Sequence, residues 1–197
     1  MSLKFHQLLD LRPNLPNVVF GLVLEEAPAF NLFAHDPPRP LEILKLLVSH
    51  PKLAVALMKF GMSTADAAKK AAQRGDFETA DRIYGEGILG PEAFAALSKE
   101  RAAQAEENSF PEEILGSGFS KLDPEVVRQI ECPVLVISGE KSPALWPMIA
   151  DELAAMLPNS ERLEIAAASH IAHEDNVLAF NSALTRFWVG LSEVNAK

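Results

Sequence analysis

The sequence predicts an α/β protein, a few parallel strands with flanking helices, with a long helical segment inserted between them. Three observations predict it. Residues 133–137 (PVLVI) form a short apolar run bounded by Pro133 and Gly139, rich in Val and Ile, as a fully buried strand requires. An amphipathic helix over 146–156 and a second short strand over 162–165 (RLEI) follow, which makes a βαβ unit with parallel strands. Residues 18–24 (VVFGLVL) form a third apolar run, and a strand this apolar needs cover on both faces.

The elements follow in order. Residues 7–17 hold two prolines and predict a short helix or loop before the first strand, which ends at Glu25, Glu26, Ala27 and Pro28. Three prolines among residues 37–40 demand a loop and mark a boundary. Leu41, Leu44, Leu47 and Val48 then recur at helical spacing until Pro51, and 52–60 repeats the pattern with Leu53, Ala56, Leu57 and Phe60. Thr64 or Asp66 is expected to cap a helix over 67–74, Gly75 to end it, and 77–84 to resume. Pro91 suits a first turn, so a helix is expected over 92–107. A loop at 116–120 and a helix over 124–129 return the chain to the sheet. The expected divisions are a core segment at 1–35, a helical segment at 36–120 and a closing core at 121–197.

Composition narrows the function. With 197 residues, 48% hydrophobic and 23% charged, the chain can build one good core and a small added layer. A net charge of −9 argues against a nucleic-acid backbone or an anionic membrane as partner. No run approaches a membrane span and the first residues lack the pattern of a signal peptide. Cys132 is the single cysteine, so no internal disulfide is available and a cytoplasmic location is expected. Beside Pro133 at a strand's start, it reads as a small buried hydrophobe.

Loops at the carboxyl ends of parallel strands are where open α/β sheets place their chemistry. His170, in Ala168-Ser169-His170 after the last predicted strand, stands there. His173 lies three residues on, but neither metalloprotease spacing is present, so no metal and no cofactor are expected. His173 and Glu174 read instead as the opening of the last helix, where acidic residues favour its positive end.

The run CPVLVISGEKSP, a helix ending at LPN, and then ASHIAHEDNVLAFNSALTRFW resemble the closing segment of the α/β-hydrolase fold, over the last third of the chain. The resemblance implies a partial α/β-hydrolase with a helical lid insertion that shapes an apolar pocket. It implies that His170 is the catalytic histidine. Such an enzyme needs a nucleophile, a histidine to take its proton and a carboxylate to fix the histidine's tautomer. Much of the family carries an Asp three residues past the glycine of the penultimate strand, where this chain has Ser142. Glu140 in the same loop and Glu26 remain. Residues 21–25 (GLVLE) look like the strand after the nucleophile, whose end holds the acid in some branches, haloalkane dehalogenases among them, which favours Glu26.

No G-x-S-x-G elbow occurs in the sequence. Residues 61–65 (GMSTA) come nearest, but the stretch before Ser63 has helical spacing and an elbow must follow a strand. The expectation is therefore a chain that begins just before the strand following the nucleophile, and that is inactive or nearly so alone. The complete enzyme is expected to act, in the manner of an esterase or epoxide hydrolase, on a small apolar substrate. The open sheet edge is expected to pair with a second copy or with the missing N-terminal half. A rival expectation is a non-enzymatic module that completes its sheet with a partner chain.

Overall fold

The computed structural model describes residues 19–35, 38–102 and 121–195. The expectations for 7–17 and for the loop at 116–120 lie outside them, as do Val18 of the expected first strand and residues 103–107 of the helix expected over 92–107. The chain divides into two compact units. One comprises the part up to Leu32, Leu122–Lys141 and the part from Trp146 onward; the other comprises Phe33–Lys121 and Ser142–Leu145.

The first unit holds a three-stranded parallel sheet in the order β1 (Leu22–Glu25), β2 (Val134–Gly139), β3 (Ser160–Ile165). Leu22 pairs with Val134 and Glu25 with Ile137, while Val134 pairs with Ser160 and Gly139 with Ile165. Every residue of β2 is buried, which accounts for its unbroken apolar run. Leu135 and Ile137 join Ile165, Ala168, Ala172, Phe180, Ala183 and Phe187 in one core cluster. Phe180, Ala183 and Phe187 lie on one stripe of the last helix, which turns that stripe to the sheet. By alternation Val134 and Val136 face the other way, and they are equally buried.

β1 is shorter than 18–24 suggested. Its ladder starts where the Leu22 amide donates to the Pro133 carbonyl, and Pro133 has no N–H with which to extend the pairing. Phe20 stays 69% exposed, and of the strand only Leu24 is fully buried, so among the described residues β1 is covered less completely than β2. β3 is longer than expected because its ladder runs the length of β2 and takes in Ser160 and Glu161, whose side chains gave no strand signal. Cys132 is half-buried, not buried.

Around the sheet stand three further helices before the last one. α6 (Pro124–Arg128) precedes β2, α7 (Leu145–Met156) links β2 to β3, and α8 (Ala172–Asp175) leads into α9 (Val177–Asn195). α7 buries Trp146, Ile149, Ala150 and Leu153 at helical spacing.

The second unit is helical: α1 (Pro40–Ser49), α2 (Pro51–Phe60), α3 (Asp66–Gln73), α4 (Phe77–Leu89) and α5 (Pro91–Ala95). Three of these open on proline, whose fixed φ and missing N–H suit a first turn. The break expected at Thr64 or Asp66 is absent. The Asp66 amide bonds back to the Gly61 carbonyl, five residues earlier, so a wide turn over Gly61–Ala65 joins α2 to α3. Thr64 is buried where a Cβ on Gly87 would overlap its side chain, so α4 can lie this close only because residue 87 is glycine. Gly75, at φ 79°, ends α3 and Asp76 caps α4 through the Thr79 amide at 3.2 Å. The helix expected over 92–107 is interrupted after Ala95. Leu97 closes a tight turn on Phe94, and Ser98 Oγ accepts the Arg101 amide at 3.1 Å, restarting the helix at 99.

Candidate active site

The carboxyl ends of the three strands meet the segment carrying His170. β1 ends in Glu25, and Glu26 follows with its backbone in the left-handed region at φ 46°. That conformation is uncommon for a residue with a side chain and clusters at functional positions. Glu26 is buried, and an isolated buried carboxylate is strongly disfavoured. Its oxygens are accordingly held: the Gly139 amide donates to Oε1 at 2.7 Å, and His170 Nδ1 lies 3.0 Å from Oε2. A hydrogen bond to an ionised carboxylate, which only accepts, requires the proton on His170 Nδ1 and leaves Nε2 with its lone pair. The His170 ring rests on Trp146, centroids 4.4 Å apart, and Trp146 packs on Phe30 at 5.3 Å.

The loop behind His170 is fixed at several points. The Lys141 amide donates to the Ala168 carbonyl at 2.8 Å. The Ser169 amide and hydroxyl both donate to Asp175 Oδ2, at 2.6 and 2.5 Å. Asn176 Nδ2 donates to the Ala166 carbonyl at 3.0 Å. Gly139 lies so near this loop that a Cβ there would stand 2.7 Å from the Ala168 carbonyl carbon and closer still to the Ala168 and Ser169 oxygens.

The structure thus brings Glu26 and His170 together across 144 positions of sequence. Glu140, the other candidate acid, is engaged elsewhere: its Oε2 accepts the Ala167 amide at 2.7 Å. Ser63 lies in the wide turn between α2 and α3, not after a strand, and its hydroxyl donates to the Lys59 carbonyl at 2.6 Å. Sequence reasoning missed Glu25 and His173. Instead of opening the last helix, His173 sits in the short α8, its amide donating to Glu25 Oε1 at 3.0 Å and its Nδ1 lying 2.9 and 3.0 Å from the two carboxylate oxygens. The signal for it was the pair of adjacent glutamates matched by two histidines in one loop. Among the described residues no cluster of three or more metal-ligating side chains is found, and no helix is long and apolar enough to cross a membrane.

The structure thus sets a buried carboxylate against an imidazole at the ends of parallel strands, and comparison with solved structures shows the fold. The chain is similar to MenH from S. aureus (TM-score 0.58, 18% identity, covering 88% of this chain and 60% of that one). It is similar to proline iminopeptidase from Mycobacterium smegmatis (0.55, 16%, covering 96% and 62%) and to bromoperoxidase from Bacillus anthracis (0.52, 19%, covering 64% and 49%). All are α/β-hydrolase fold enzymes, and the chain carries part of that fold: three parallel strands with flanking helices. It spans about half to three-fifths of their lengths. No protein-family model and no curated protein matches the sequence.

Proposed function

We propose that the protein is the histidine and acid portion of a cytoplasmic hydrolase acting on a small, apolar ester or related carbon-heteroatom bond. His170 serves as general base through Nε2, and Glu26 holds Nδ1–H and stabilises the cation that forms. The observation that supports this is the 3.0 Å contact between His170 Nδ1 and a buried Glu26 carboxylate whose other oxygen is held by Gly139. The apolar composition of residues 41–97 supports an apolar substrate. Without a G-x-S-x-G elbow the 197 residues lack the nucleophile of the reaction and turn over little or nothing by themselves.

The test reads the imidazole. In ¹⁵N-resolved NMR near neutral pH, neutral His170 is expected in the Nδ1–H form, the minor tautomer of free histidine, and Glu26→Gln is expected to shift it toward Nε2–H. An Nε2–H His170 in the wild type overturns the reading. In parallel, an active-serine probe is expected to leave Ser63 unlabelled and p-nitrophenyl butyrate turnover to stay at the level of His170→Ala. Labelled Ser63 with turnover abolished by His170→Ala would make the chain a hydrolase in its own right.

A second reading, a non-enzymatic module completing its sheet with a partner chain, draws on one observation. β1 is an edge of the sheet among the described residues, with exposed Phe20 just before it. That reading expects Glu26 far from His170, and they are in contact. Pairing through this edge, with a second copy or with a segment completing the fold, is compatible with the hydrolase reading and belongs to it as a further proposal.

A further inference from the structure

We propose that Glu25 and His173 form a latch that positions His170 against Glu26, an inference that rests on the reading of those two as base and acid. Successive side chains on a strand point to opposite faces, so an extended β1 would send Glu25 and Glu26 apart. The left-handed backbone at Glu26 breaks that alternation, and both carboxylates reach the segment 170–173. Glu26 takes the imidazole of residue 170 and Glu25 that of residue 173. Glu25 grips twice, because its Oε1 also accepts the His173 amide, one of the first amides of α8, which has no partner within its own helix.

The loop's hydrogen bonds described above run elsewhere. Lys141 holds Ala168 to the end of β2, and Ser169 with Asp175 closes the loop on itself. Glu25 with His173 joins this loop to the strand that leads into Glu26, separately from the contact between Glu26 and His170. His173 has a second carboxylate nearby, Glu174 Oε1 at 3.5 Å from Nε2, and its ring meets Phe180 at 5.9 Å. The His173 side chain is exposed and that of Glu25 partly buried, and neither belongs to the core cluster beneath the loop. Neither residue reaches a substrate bond in this role: both are positioning residues.

The experiment uses the whole chain and three variants, Glu25→Ala, His173→Ala and Glu25→Gln, with folding checked by circular dichroism and the His170 tautomer read by ¹⁵N NMR. In Glu25→Ala and His173→Ala the ratio of Nδ1–H to Nε2–H at His170 is expected to fall about threefold, within the range a single hydrogen bond supports. Combining the two is expected to cost no more than either alone. Glu25→Gln keeps an acceptor for the His173 amide and is expected to recover part of the ratio. A wild-type His170 in the Nδ1–H form whose ratio is unmoved in folded Glu25→Ala and His173→Ala overturns the latch while leaving the base and acid reading standing. An Nε2–H wild type overturns that reading instead. Should Glu25→Ala fail to fold, His173→Ala and Glu25→Gln read the same ratio.

Discussion

Gly139 performs two tasks that one methyl group would bring into conflict. Its amide gives Glu26 a hydrogen bond at 2.7 Å, and its bare Cα lets the Ala168 and Ser169 carbonyls pack against it. Because the clashing atoms are backbone, they cannot rotate away. Gly139→Ala is therefore expected to lower stability by about 1–3 kcal/mol, as overpacking does, and to draw His170 off Glu26. Urea unfolding and the Nδ1–H signal of His170 check both parts, and wild-type values in each would show that this packing does not fix the loop. That His170 and Glu26 stand where strands end was legible in the sequence, and the choice of Glu26 over Glu140 as the partner of His170 came from the family resemblance. Gly139's amide was not, since a backbone donor has no residue letter of its own. Nor could sequence decide which of two glutamates meets which of two histidines across 148 positions.

Within the helical unit, Glu42 of α1 ties distant parts of the chain together. Lys121 Nζ donates to its Oε1 at 2.8 Å, the His35 and Arg39 amides to its Oε2 at 3.1 and 3.2 Å, and His35 Nδ1 lies 2.6 Å from Oε1. Lys121 foremost, then the His35 amide, hold its carboxyl well below the usual glutamate range. A carboxylate with a folded value lowered in this way contributes stability that is complete above its unfolded value, about 4.3, and is lost as pH falls toward the folded one. Glu42→Gln is thus expected to lower the denaturation midpoint at pH 7, and the gap to the wild type to narrow steadily below about pH 4. A gap unchanged at acid pH would show that the carboxylate's charge does not matter there. Most helices of this unit were legible because proline marks their starts. The wide turn over Gly61–Ala65 was not, since what carries the chain through it is the packing of Thr64 against Gly87. The strand limits likewise follow backbone partners, Pro133 for β1 and the length of β2 for β3, that a strand's own residues do not announce.

At the scale of the molecule, an edge strand beside an exposed Phe20 invites another strand or an apolar cover. Light scattering after size exclusion is expected to give a mass above 21.5 kDa that rises with protein concentration. A monomer at every concentration would exclude association through this edge. The parallel βαβ arrangement was legible because apolar strands and an amphipathic helix alternate, and parallel pairing needs such a crossover. The order of assembly follows from the same sheet. β2 and β3 are joined by a short connection, whereas β1 must find β2 across more than half the chain, and such distant pairings form slowly. Until β1 docks, His170 has no Glu26 to meet, so the contact between these two side chains is made only when the most distant pairing of the sheet closes.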